Sequence, residues 1–261
     1  MTAAPRDETI LSDLAALARR GEAELSQFGS LASAYQYRRL YHLCRRWLAP
    51  GAQVLDWGAG NGHFSYFLSR AGYRATGYSF SPFVYERWLA DPSYRFVRGE
   101  DPEPVKLPFP DTSFDAVASI GVLEHVRETG GDEAGSLTEI ARVLRPGGVL
   151  IVYHFPNRDS WIDRVAKRVP GKHHHLHRYT RADIRALVRG ARLELIGTGL
   201  YALLPRNSLH RVFGPLRDAR WTAEVWDRLD AILGAIAAPI AQNHWFVARR
   251  PGGEHALDVR R

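Results

Sequence analysis

Val54-Leu55-Asp56-Trp57-Gly58-Ala59-Gly60-Asn61-Gly62 sets an acid and three alternate glycines directly behind a short aliphatic run. The run reads as a strand that turns sharply into a helix starting near His63. Glycines admit positive φ and let the backbone approach a ligand closely, and a helix N-terminus offers unpaired N–H groups. The loop is therefore shaped for a nucleotide-like ligand. A dinucleotide fingerprint asks for Gly-x-Gly-x-x-Gly, with the pyrophosphate resting on the helix N-terminus. Here the third glycine position is His63, so the spacing fails by one residue. Nucleotide-binding folds also commonly hold the ribose with a carboxylate about 20 residues downstream, and Arg74-Ala75-Thr76-Gly77-Tyr78-Ser79 contains no acid.

Outward from this loop, short apolar runs bounded by Gly, Pro or Asp predict strands at 53–55, 74–78, 94–97, 114–119, 148–153 and 192–197, with a last strand at 243–248. Helical periodicity fills most of the gaps, at 63–71, 82–90, 136–144 and 180–189. The last of these opens with Thr180 as N-cap and Asp183 three residues on. Such alternation predicts an α/β fold: a doubly wound, Rossmann-like, mostly parallel seven-stranded sheet with helices on both faces. Two amphipathic helices, at 9–20 and 31–48, precede it, and Pro50-Gly51 stops the second. The expected organisation is an N-terminal helical cap over 1–50, a core domain over 51–250 with a helical insertion at 201–242, and a polar tail over 251–261.

The 261 residues are 45% hydrophobic and 24% charged, which suits one folded domain and excludes global disorder. The single cysteine, Cys44, rules out an intramolecular disulfide or a Cys-rich zinc site and points to a reducing compartment. The longest apolar run, 231–241, is broken by Gly234 and Pro239 and falls short of the roughly 20 residues of a spanning helix. A cytoplasmic location is expected, with peripheral membrane contact left open. The net charge of +7 favours acidic partners, but the arginines are scattered and form no basic stripe interleaved with aromatics, so nucleic acid is not the expected partner.

The acid followed by three alternate glycines resembles the first motif of the class I S-adenosylmethionine-dependent methyltransferases. The likeness extends in order over about residues 50–200. Leu107-Pro108-Phe109-Pro110-Asp111-Thr112-Ser113-Phe114-Asp115, Val122-Leu123-Glu124-His125-Val126 and Glu139-Ile140-Ala141-Arg142-Val143-Leu144-Arg145-Pro146-Gly147-Gly148 are similar to later segments of the ubiquinone- and menaquinone-biosynthesis-like (type 11) subgroup. The resemblance implies S-adenosylmethionine as cofactor. It places Gly58, Ala59, Gly60 and Gly62 at the methionine and ribose portions, with Asp56 orienting the loop and helping to hold the amino group through water or backbone, and Ser79 where the family carries its ribose-binding acid. Glu100 or Asp101 falls beside the adenine amino group, Phe80 and Leu107 on either side of the adenine, and Ile120 at the end of the fourth strand. Ser79 retains a neutral hydrogen bond but loses the stronger, charge-assisted one.

Methyl transfer is an in-line displacement, so the protein must position the reactants, exclude water and, for a hydroxyl or activated carbon, supply a base. His125, a few residues after the fourth strand, is the first candidate, and His177 is the second. The run His173-His174-His175-Leu176-His177 raises a metal site, but adjacent side chains diverge and no carboxylate lies nearby in sequence, so no metal is expected. His175, His177 and Tyr179 are instead expected in a loop over the substrate. Tyr35 and Arg38 are expected to close over the cofactor; Trp221, Trp226, Leu229, Ile232 and Ile236 offer an apolar wall for the acceptor, with packing on the sheet the expected role of most of them.

The fourth strand lacks the Asn/Asp-Pro-Pro-aromatic motif of amine methylation, and Cys44 is no pyrimidine nucleophile, which leaves a small-molecule acceptor methylated on oxygen or carbon. A noncatalytic cofactor-binding module, prompted by Ser79, is the alternative. A nicotinamide-dependent oxidoreductase is disfavoured by the glycine spacing.

Overall fold

In the computed structural model, residues 5–99, 103–172, 174–205, 216 and 218–252 are described. Seven strands form one sheet: β1 (Gln53–Trp57), β2 (Arg74–Ser79), β3 (Arg95–Arg98), β4 (Phe114–Ile120), β5 (Leu144–Pro156), β6 (Glu194–Tyr201) and β7 (Asn243–Arg249). Their spatial order is β3-β2-β1-β4-β5-β7-β6. The first five pair in parallel, and among the described residues only β7 runs antiparallel, between β5 and β6. The order reverses between β1 and β4, and open α/β sheets bind ligands in the crevice at such a switch point, beyond the C-terminal strand ends.

Alternation along each strand divides two apolar layers. Val54, Ala116, Ile151 and Val247 face α1 (Asp7–Arg19), α2 (Leu31–Ala34), α3 (Arg38–Trp47) and α4 (His63–Arg70). Leu55, Val117, Leu150 and Phe246 face α5 (Glu133–Val143) and α7 (Arg181–Gly190). Between those two helices lies the short α6 (Trp161–Ala166). Helix α7 starts with the expected capping box of Thr180 and Asp183. The N-terminal segment shares a hydrophobic core with the sheet: Ile10, Phe28, Leu40 and Tyr41 are fully buried in it, and Cys44 lies there with its thiol pKa pushed up by burial.

Two expectations change. The stretch 82–90 forms turns rather than a helix, because its aromatic residues serve as separate anchors. Phe83 stacks on Phe96 at 5.0 Å, and the buried Tyr85 places its hydroxyl 2.7 Å from that of Tyr94. The second change is in α8 (Arg220–Ile236), whose polarity is inverted. Ala223 and Asp230 are its buried residues, while Trp221, Leu229, Ile232 and Ile236 are exposed. The inner face is held by charge: Asp227 lies 3.5 Å from Arg38, and Asp230 accepts the Leu204 N–H at 2.7 Å. Of the stripe expected to wall a substrate, Trp221, Leu229, Ile232 and Ile236 therefore face solvent, while Trp226 is half-buried.

Candidate functional site

The glycine turn after β1 folds as its residues dictate. Gly58, Gly60 and Gly62 have φ of +81°, +49° and +75°. A Cβ on Gly62 would lie 2.4 Å from the Tyr85 ring, so a side chain is excluded by packing as well as by conformation. The Gly58 and Ala59 N–H groups donate to the Tyr78 carbonyl at 2.8 and 2.9 Å, tying the turn to β2. Asp56 does not face the crevice. It is buried, and its Oδ2 accepts the Ser65 hydroxyl of α4 at 2.6 Å; Ser65 in turn accepts from the Tyr94 hydroxyl at 3.1 Å. Burial pushes the Asp56 carboxyl up to about 7, against a smaller downward pull from Ser65. Its work is to clamp strand, helix and turn.

A cavity of about 270 Å³ opens at the β1/β4 switch point. Gly58, Ser79, Phe80, Gly121, Val122 and His125 contribute to its wall. It brings together the expected Gly58, Ser79, Phe80 and His125, and adds Trp57, Tyr78, Gly121 and Val122, which sequence reasoning passed over. Ser79 ends β2 with its Oγ accepting the Ser81 N–H at 3.1 Å, which leaves a proton and a second lone pair for a ligand. Ala59 and Leu107 are not cavity residues: Ala59 packs with Tyr85 and Leu89, and Leu107 belongs to the core under α5. Ile120 ends β4 against the other core layer. Glu100 and Asp101 lie outside the described residues.

The two histidine candidates separate. His177 lines a different cavity of about 580 Å³ with Arg127, Glu133, Arg158, Tyr179 and Asp183, sharing no residue with the first. There Tyr179 donates to the buried Glu133, so Tyr179 is structurally engaged. Arg38 is corrected as well. It bridges Glu8 at 3.3 Å and Asp227 at 3.5 Å, locking α1 to α8, and borders a third cavity of about 460 Å³ with Gln36, His42, Tyr153, Tyr201 and Asp230.

Around His125 the geometry is richer than the sequence suggested. Its Nδ1 lies 2.8 Å from Glu128 Oε1 and its Nε2 4.0 Å from Glu124 Oε1. Glu124 is buried, its carboxyl pushed up to about 8 chiefly by desolvation. His175 reaches the same place from the loop before α7, its Nδ1 3.2 Å from the buried Asp163. A further histidine was missed: His154, at a bulge near the C-terminal end of β5, has φ +68° and bonds Tyr201 through both its N–H and its ring. The rule that functional groups gather at C-terminal strand ends would have flagged it; the strand was expected to stop at Tyr153.

Comparison with known proteins bears on what this crevice holds. Residues 55–152 match a family described as "Methyltransferase domain". Demethylmenaquinone methyltransferase of Deinococcus radiodurans is 30% identical over 207 residues, covering 73% of this chain and 79% of that protein. The chain belongs to the S-adenosylmethionine-dependent methyltransferases. Another member, demethylmenaquinone methyltransferase of Tropheryma whipplei, is 35% identical over 114 residues, or 41% of this chain; the match spans less than half of that relative, 44%. Among solved structures, the 1,6-didemethyltoxoflavin-N1-methyltransferase of Burkholderia thailandensis shares the methyltransferase fold at a TM-score of 0.55 and 19% identity, covering 96% of this chain and 92% of that one.

The cofactor of these methyltransferases is S-adenosylmethionine, and the crevice residues fit it. Phe80, Val122 and Val126 offer apolar surface for a base, and Ser79 offers a hydroxyl at the end of β2 for a ribose. Above Gly60 the backbone is open, since a Cβ there would meet only the Gly58 carbonyl, at 3.6 Å.

Proposed function

We propose that this protein transfers the methyl group of S-adenosylmethionine to an oxygen or carbon of a small, partly apolar acceptor, with a hydroxylated ring of the quinone type as the leading class. One observation carries the reading: the cavity at the β1/β4 switch point joins the glycine turn and Ser79 on one side to His125 on the other. Cofactor contacts and an acid–base side chain thus share one enclosure. The quinone class rests on the similarity to demethylmenaquinone methyltransferases.

When bound, S-adenosylmethionine supplies an electrophilic methyl on a positively charged sulfur. The Gly58 and Gly60 backbone and Ser79 would hold the nucleoside and methionine portions, and Phe80 and Val122 would shield the nucleoside from water. His125 stands where an acceptor hydroxyl would be oriented and relieved of its proton. No helix among the described residues is long and apolar enough to cross a membrane.

Calorimetry with S-adenosylhomocysteine and NAD, followed by labelled-methyl transfer to a panel of demethylated quinols and phenols, tests the proposal. The expected result is that S-adenosylhomocysteine binds, NAD does not, and a quinol or phenol becomes labelled. Absence of S-adenosylhomocysteine binding would overturn it.

A further inference from the structure

Glu124 and His125, in the turn after β4, meet His175, which arrives from the loop between α6 and α7. One ligand atom from each of the three lies within 4.8 Å of the others. Glu124 is 4% exposed, and its Oε2 has no hydrogen-bond partner. A carboxyl group in that situation is costly to ionise, and leaves an oxygen unsatisfied, unless a cation or donor compensates it. His125 does not supply that donor: its Nε2 lies 4.0 Å from Glu124 Oε1, too long for a hydrogen bond.

Behind the trio stand two more carboxylates. Glu128 holds Nδ1 of His125 at 2.8 Å, and Asp163, whose side chain is 3% exposed, holds Nδ1 of His175 at 3.2 Å. Metal-ligating histidines commonly have one ring nitrogen oriented by a carboxylate, which fixes the tautomer and raises the basicity of the other. Two histidines so oriented, converging on a buried acid, is an arrangement that an ordinary surface ion pair does not require. The sequence argument against a metal was that neighbouring histidines diverge and lack a carboxylate. That argument weighed only neighbours in sequence, whereas His175 is turned toward acids supplied by other elements.

We propose that Glu124, His125 and His175 bind one divalent transition-metal ion at the edge of the cofactor cavity. Two imidazoles and a carboxylate suit Zn²⁺ and its spectroscopic substitute Co²⁺ better than Mg²⁺ or Ca²⁺, which prefer all-oxygen sets. Zinc–nitrogen and zinc–oxygen bonds of about 2.0–2.2 Å at tetrahedral angles put ligand atoms roughly 3.3–3.6 Å apart. The trio, whose ligand atoms lie within 4.8 Å of one another, therefore needs to close by up to about 1.5 Å. Three protein ligands leave a position for water or an acceptor oxygen.

This placement rests on the methyltransferase reading for its use. A metal-bound acceptor hydroxyl releases its proton to water, and its oxygen forms the new O–CH3 bond as the S–CH3 electron pair returns to sulfur. The acceptor class narrows accordingly to molecules with an ionisable ring or enol hydroxyl; with the ion bound, His125 acts on that hydroxyl through the metal, and without it directly.

The test uses tag-free full-length protein stripped with EDTA and titrated with Zn²⁺ by calorimetry and with Co²⁺ by visible absorption. One equivalent of either ion is expected to bind. Glu124→Gln and His175→Ala should abolish binding, and Asp163→Asn should weaken it about 10- to 100-fold. His174→Ala, outside the trio, should leave it unchanged. S-adenosylhomocysteine affinity, measured alongside, reports folding and the cofactor site separately. Failure of the intact protein to bind either ion, or equal binding by Glu124→Gln and His175→Ala, overturns the metal site. Loss of S-adenosylhomocysteine binding in a protein that still takes up one Zn²⁺ through the trio overturns the cofactor reading and leaves the metal site standing. If both large-effect variants misfold, the conservative Asp163→Asn decides: unchanged Zn²⁺ affinity counts against the site.

Discussion

The ends of β1 and β4 lie side by side at the switch point, each with a glycine turn and a buried carboxylate, yet they are built in opposite ways. Beyond β1, Asp56 is bonded by Ser65, which is bonded by Tyr94, and the Gly62 backbone rests against the Tyr85 ring. Beyond β4, Glu124 keeps an unpartnered oxygen, and a Cβ on Gly121 would meet nothing nearer than 3.8 Å. One end is closed and internally satisfied. The other leaves room and electrostatic need, as a site for ligand and chemistry must. A buried acid does not by itself mark a catalytic centre; what remains unsatisfied around it does.

The largest test of this contrast is the pH dependence carried by Asp56. Its carboxyl is raised from 3.8 to about 7 by burial, so the folded protein holds a proton that the unfolded chain has already released. That contribution to stability is complete below about pH 4 and is lost as pH rises through about 7. At about 1.4 kcal/mol per unit, the loss totals about 4 kcal/mol. His63, lowered from 6.5 to about 4 by burial, acts in the opposite sense between those values and masks the effect in the native protein. Asp56→Asn keeps an acceptor for Ser65 but cannot ionise. Urea denaturation from pH 4.5 to 8 should show the variant gaining on the native protein steadily up to about pH 7 and then holding level. Parallel curves would mean that Asp56 is ionised in the fold and that the β1 end is less closed than the geometry indicates.

A pair of glycine substitutions comes next in size. Gly62→Ala meets both the left-handed φ, about 1–2 kcal/mol for an L-residue, and the buried Tyr85 ring, another 1–3 kcal/mol for overpacking. A loss of about 3 kcal/mol is expected. Gly121→Ala has φ +71° but open space, so only about 1–2 kcal/mol is expected. Equal losses in chemical denaturation would break the contrast between a packed end and an open one.

The closed end was also the legible one. Val54 to Gly62 carries its fold locally, in an aliphatic run, an acid and glycines whose spacing needs no distant partner, and the seven strands followed from runs of the same kind. The open end depends on residues remote in sequence: His175 reaches Glu124 and His125 only once β5 and α6 have been laid across the sheet. His154 was hidden because a bulge extends β5 past the last residue of its apolar pattern. Helical spacing at 82–90 misled because Phe83 and Tyr85 are drawn to separate aromatic partners, a tertiary demand stronger than local periodicity. Helix α8 was expected by length and period, but not which face turns inward: Asp227 and Asp230 find Arg38 and the Leu204 N–H, partners that no local pattern names.

The smallest effect probes the one incomplete point on the cofactor side. Ser79 sits where related enzymes are expected to carry a ribose-binding acid, and its Oγ already accepts the Ser81 N–H. An aspartate could preserve that turn with one oxygen, since Asp makes the same local bond to a backbone N–H two residues on, and present the second oxygen to the cavity. A charged hydrogen bond exceeds a neutral one by about 1 kcal/mol, so Ser79→Asp should tighten S-adenosylhomocysteine binding by about five- to tenfold in calorimetry. The position is only 9% exposed, and without ligand the new carboxylate would be poorly solvated. The gain should therefore come with lower stability of the free protein, recovered on ligand addition. Weaker or unchanged affinity would mean that another group already holds the ribose and that the serine is an adaptation of the pocket rather than a gap in it.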